Sequence, residues 1–110
     1  MSRALAQGLC VAFVTCPTQR VARTLAREMV RAHAAACVNI LGPVESLFWW
    51  QGRLDRAREH VLIIKTTRRQ VAALRRLLKQ HHPYTVPELV ALPISDGLPT
   101  YLRWIRASCP

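Results

Sequence analysis

Hydrophobic positions along the chain switch repeatedly between a strand-like and a helix-like period. Leu9 to Thr15 is apolar, rich in β-branched residues and stopped by Pro17, which reads as a short buried strand. From Thr18 to His33, Val21, Leu25 and Met29 with Ala22, Ala26 and Val30 form one stripe at helical spacing, and Thr18 is placed to cap it. Val38 to Trp50 returns to strand character. Gly42-Pro43 interrupts it and predicts a bulge or bend, because proline cannot donate into a ladder. After a turn at Gln51-Gly52, the segment from Arg53 to Thr67 starts polar and ends in Val61-Leu62-Ile63-Ile64, as expected of a long strand with a buried base and a projecting tip. Thr67 is expected to cap a second helix carrying Val71, Leu74, Leu77 and Leu78 and ending near His81, before Pro83. Glu88 to Ile94 reads as the last core strand. Tyr101, Leu102, Trp104 and Ile105 follow on a short terminal helix.

The order strand, helix, strand, strand, helix, strand predicts an α+β fold, a ferredoxin-like βαββαβ sandwich with a long β-hairpin and a C-terminal helix. With 110 residues, 51% of them hydrophobic, the chain suits a single domain over residues 9–110, with residues 1–8 expected as a short N-terminal tail. The hairpin is longer than one domain needs. It displays Phe48, Trp49 and Trp50, a surface that a protein normally covers with another subunit, so an obligate oligomer is expected. No apolar run approaches the roughly 20 residues that span a bilayer. The stretch around Leu9 to Val14 is too short, and lacks the small-residue cleavage site, for a signal peptide. A cytoplasmic protein without a membrane partner is the expectation. Cys10, Cys16, Cys37 and Cys109 form no C-x-x-C pair, which suits reduced thiols better than a disulfide framework or zinc finger.

Sixteen Lys and Arg against six Asp and Glu give a formal net charge of +10, a field that attracts phosphates. Arg20, Arg23, Arg27 and Arg31, and Arg68, Arg69, Arg75, Arg76 and Lys79, nonetheless recur at helical steps, as solvated helix faces do. A GC-rich coding bias or adaptation to heat produces the same surface. The third strand, His60 to Lys65, also lacks the aromatic platform with which related folds stack bases. On sequence, nucleic acid is therefore not an expected partner.

The chain has no G-x-S-x-G, no phosphate-cradling glycine loop, no H-E-x-x-H and no close acidic pair, so an enzyme is not expected. The densest chemistry lies in His81-His82-Pro83-Tyr84 followed by Pro87-Glu88, where two prolines stiffen a run of imidazoles, a phenol and a carboxylate. Imidazole favours borderline metals such as copper and zinc. The same residues also suit the end of a helix and the start of a turn, with the two prolines acting only as breakers. Adjacent side chains diverge by about 100° on a helix, so a metal at His81 and His82 needs another ligand. Cys16 at the end of the first strand is better placed than Cys10 to supply it, and it is also an ordinary packing position.

Ala35-Ala36-Cys37-Val38-Asn39-Ile40, Ser46 to Arg53, Ile64-Lys65-Thr66, His82-Pro83-Tyr84 with Pro87-Glu88, Pro93-Ile94, Gly97, Tyr101 and Trp104 together resemble the CutA divalent-cation-tolerance family over about Val11 to Arg106. The resemblance implies a homotrimer joined through long hairpins, similar in architecture to the PII signalling proteins, with binding of copper(II) or another divalent cation and a role in cation tolerance. It implies metal ligation by His81 and His82. The family's first-strand cysteine falls at Val14, and Cys16 lies roughly 6.6 Å further along at about 3.3 Å per residue. Phe48 stands where the family usually has tyrosine, and Arg53 where it has lysine. Lys65, Tyr84 and Glu88 match and are expected to line a cleft between subunits, with Lys65 and Glu88 as an alternative interface ion pair. A PII-like small-anion sensor or signalling scaffold, using Lys65 and the arginine-rich surface in the cleft between subunits, is the competing function.

Overall fold

The computed structural model describes residues 2–110. It contains α1 (Ser2–Ala6), β1 (Leu9–Cys16), α2 (Gln19–Arg31), β2 (Cys37–Trp50), β3 (Arg53–Thr67), a 3-10 turn (Arg68–Gln70), α3 (Val71–His81), β4 (Val90–Pro93) and α4 (Pro99–Ser108). The four strands form one antiparallel sheet in the order β2-β3-β1-β4. This is the ferredoxin-like α+β arrangement expected from the order of periods.

The alternation along β1 decides where the core lies. Cys10, Ala12, Val14 and Cys16 are buried while Val11, Phe13 and Thr15 are only half-buried, as a strand with one covered face requires. Ala12, Val14 and Cys16 join Leu62 and Ile64 of β3, Ala22, Leu25 and Met29 of α2, and Leu74 and Leu78 of α3 in one cluster. Both long helices therefore pack on the same side of the sheet. The other side presents Val11, Phe13, Val61 and Ile63, flanked on β4 by Val90 at 51% and Leu92 at 55% exposure. Thr18 starts α2 as expected, its hydroxyl accepting from the amide of Val21 at 3.1 Å.

β2 and β3 stay paired from Cys37 opposite Lys65 out to Trp50 opposite Arg53, with a register shift between Leu41 and Val44 that spans Gly42-Pro43. The expected bulge is there. Gln51 and Gly52 both have positive φ, the conformation that closes a tight hairpin. The molecule is accordingly elongated, 47 × 24 × 22 Å.

Three local expectations change. Residues 1–8 were expected as a tail, yet Ser2–Ala6 is helical, Ala6 is buried, and Arg106 donates to the carbonyls of Leu5 and Gln7. Ala6 and Leu9 share a second apolar cluster with Leu102, Ile105 and Cys109. Met1 lies outside the described residues. Thr67 does not cap α3: the 3-10 turn intervenes, and the Thr67 hydroxyl donates instead to the Cys109 carbonyl at 3.3 Å. The last strand is confined to Val90–Pro93, which leaves Glu88 and Leu89 off the sheet. That displacement brings Glu88 to the site described next.

Candidate functional site

Pro83 stops α3 by disfavouring the helical conformation at the residue before it. His82 turns extended, at φ −88° and ψ 132°, and its ring becomes buried. Nδ1 accepts from the Tyr84 amide at 3.2 Å, and Nε2 donates to the Thr15 carbonyl at 2.8 Å, which together define the neutral Nε2–H tautomer. The Tyr84 ring packs against the imidazole at a centroid distance of 4.8 Å. So held, the Tyr84 hydroxyl donates to Glu59 Oε2 at 2.9 Å.

Glu59, only 6% exposed, faces a cleft of about 850 Å³ between the hairpin and the loop following His82. Phe48 and Trp50 line it from the hairpin, and Tyr84 and Glu88 from the loop. Partial desolvation, then the charge of Glu59, raise the Glu88 carboxyl above its ordinary range, while a bond from the Thr15 hydroxyl opposes them. Tyr84 is pushed up to about 12 by desolvation, by its bond to Glu59 and by that carboxylate's charge. Among the described residues neither Glu59 nor Glu88 forms an ion pair.

The structure separates the residues expected to act together. His81 is exposed at the end of α3, whereas His82 has both ring nitrogens engaged. Cys16 is fully buried in the core beneath α2 and α3, its thiol pushed up to about 12 by burial and secondarily by the charge of Glu59. Val14 is equally buried. Among the described residues no group of three or more His, Cys, Asp or Glu side chains is arranged to hold a metal. Within one subunit, His81, His82 and Cys16 thus do not fit a divalent ion as a chelate: one ring lacks a free lone pair, and the thiol must lose its proton in apolar surroundings.

Tyr84 and Glu88 do share the cleft. Lys65 does not join them in the same subunit. It stands opposite Val11 and Cys37, where its ammonium donates to Asn39 and lies 3.9 Å from the Cys37 sulfur. Sequence reasoning passed over Glu59 and Thr15. The signal for Glu59 was slight, a single acid immediately before the apolar half of β3.

A profile of the family described as "CutA1 divalent ion tolerance protein" matches residues 10–108. The chain belongs to this family. The divalent-cation tolerance protein CutA of Thermus thermophilus is 45% identical over 96 residues, covering 87% of this chain and 93% of the relative. That of Citrobacter koseri is 40% identical, covering 89% and 85%. Solved CutA structures agree in fold: the T. thermophilus protein superposes with a TM-score of 0.91 at 42% identity, over 93% of this chain and 99% of that one. The CutA of Archaeoglobus fulgidus, described as periplasmic, gives 0.88 at 35% identity over 93% and 99%. Membership carries a relation to divalent-cation tolerance.

Proposed function

We propose that this CutA-family chain serves divalent-cation tolerance as a non-enzymatic, cytoplasmic homotrimer that engages copper(II) or another divalent cation weakly. The observation that carries the trimer is the pair of uncovered apolar surfaces. One is the sheet face bearing Phe13, Ile63 and Leu92; the other is the hairpin, where Leu47 and Leu54 are 67% and Trp49 75% exposed. Covering such surfaces is a strong drive to self-association. Four free thiols favour a reducing compartment.

His81 is the accessible imidazole for a metal. His82 joins it only by releasing Thr15 and Tyr84, and Cys16 only by leaving the core, so the engagement is weak or coupled to a local rearrangement. Copper(II) titrated calorimetrically into wild type and into His81→Ala/His82→Ala tests the metal role; identical heats remove it. Native mass measurement tests the assembly, and a stably folded lone subunit in dilute buffer removes that. The competing small-anion function would use Lys65 and the arginine-rich surface at a cleft between subunits, and not the cleft within one subunit, where Asp55, Glu59 and Glu88 outnumber Arg56.

A further inference from the structure

We propose that the outer surface of the helical layer is a docking face for the phosphate backbone of double-stranded nucleic acid. In the sequence the two arginine rows lie some forty residues apart and read as two unrelated solvated faces. The fold changes this. α2 and α3 bury their apolar stripes in one cluster on one side of the sheet, so their outward faces form a single layer. Arg20, Arg23, Arg27 and Arg31 of α2 share that layer with Arg75, Arg76 and Lys79 of α3, Arg68 and Arg69 stand on the 3-10 turn that leads into α3, and all nine are exposed.

The acids are elsewhere. Glu45 and Asp55 are on the hairpin, Glu59 and Glu88 line the cleft, and Asp96 precedes α4. Glu28 is the one acid on these helices, and it pairs with Arg31 at 3.7 Å. Among the described residues the other eight cations form no ion pair. A rigid layer with this imbalance focuses a positive field on one side of the molecule instead of spreading it.

The side chains select the partner. Fourteen of the sixteen basic residues are arginine, whose planar fork matches phosphate oxygens two at a time. Neither α2 nor α3 contains Phe, Tyr or Trp, so the layer lacks the aromatic platform on which single-strand binders stack successive bases, and its arginine forks are suited to a duplex backbone, read without regard to sequence. An anionic membrane is the other polyanion of suitable charge. A helix that lies on a bilayer needs an apolar face to insert, and here Val30 is the only large apolar side chain that either helix exposes. The layer is also on the opposite side of the sheet from the uncovered apolar face, so self-association there leaves it open to solvent, and the two proposals stand or fall separately.

The test is fluorescence anisotropy of a labelled random-sequence duplex longer than two helical turns, at low and at physiological salt. Two variants remove equal charge: Arg23→Gln/Arg27→Gln/Arg76→Gln on the layer, and Arg3→Gln/Arg53→Gln/Arg103→Gln away from it. All six positions are exposed, and size exclusion checks that both variants keep the wild-type assembly. Wild-type affinity is expected to fall steeply with salt. The layer variant should weaken binding at low salt about tenfold or more, with a log–log salt slope shallower by about 0.9 for each phosphate no longer neutralised. The control variant should keep the slope. Equal losses in both variants would mean net charge and not a docking face; binding to anionic phospholipid vesicles without binding to the duplex would mean a membrane surface. Either result, or a salt-insensitive affinity, overturns the proposal.

Discussion

His82 is bonded to Thr15 across 2.8 Å, imidazole Nε2 to main-chain oxygen, and this joins the loop after α3 to the end of β1. The bond does more than close a helix. It sets the ring against which Tyr84 packs, and through Tyr84 it sets the donor to Glu59. His82→Ala should therefore cost about 1–3 kcal/mol, the usual penalty for stranding a buried hydrogen-bonding partner. His81→Ala, at an exposed position, should stay within about 0.5 kcal/mol. Guanidinium unfolding of both variants checks the contrast, and equal losses would remove the structural role given to His82.

Glu88 supplies a pH dependence whose direction is fixed by its environment. Its carboxyl is raised in the folded protein, first by desolvation and then by Glu59. The folded state therefore holds a proton that the unfolded chain releases, and this contribution to stability is present below the ordinary carboxyl range and lost as pH rises through the raised value. Glu88→Gln should flatten that part of the profile and leave the protein more stable than wild type at neutral pH. Urea midpoints followed from mildly acidic to neutral pH decide it. An unchanged slope would show that neither burial nor Glu59 raises this carboxyl.

Cys16 predicts an alkaline limit. Its thiol is raised from 9.0 to about 12, so folding holds its proton, and stability falls as pH climbs across that interval. Tyr84, raised from 10.0 to about 12, adds a loss over the upper part of the same range. Cys16→Ala should remove the earlier portion of the decline and leave the later one. In the native protein Cys16 should also resist iodoacetamide at neutral pH, since neither thiolate nor access is available. Peptide mapping that found rapid alkylation there would contradict its burial.

The fold was legible because it depends on periods that neighbouring residues already display: the alternation around Ala12 and Val14, the stripe of Leu25 and Met29, the break at Gly42-Pro43. The capping of α3 was not. Thr67 has the right chemistry for a cap, but the carbonyl of Cys109, 42 residues away, takes its hydroxyl. The cleft was half legible. Tyr84 and Glu88 stood out beside two prolines, while Glu59 and Thr15 reach it through strand register, which no local pattern encodes. The separation of Lys65 from that cleft likewise follows from register, since it stands opposite Val11 and not opposite Thr15. His81 and His82 are adjacent in sequence, yet Pro83 sends one ring to solvent and the other into the protein.

Gly42 gives the last test, because backbone and side-chain effects can be separated there. Its φ of +149° disfavours any residue with a Cβ, and an added Cβ would lie 2.7 Å from His60 Cδ2, 2.9 Å from Cγ and 3.1 Å from the Glu59 carbonyl. Gly42→Ala should destabilise by about 1–3 kcal/mol from backbone strain, with the clash in addition. His60→Ala clears the ring but changes neither the backbone conformation nor the carbonyl. It also removes Nδ1, the one buried side-chain nitrogen or oxygen without a partner among the described residues, which offsets part of the reduced packing. The double variant should therefore be more stable than the sum of the single losses predicts, with a positive coupling in a double-mutant cycle. It should still fall short of His60→Ala alone by roughly the strain at position 42. Strict additivity would mean that the imidazole does not rest on Gly42, and the account of the bulge would fail with it.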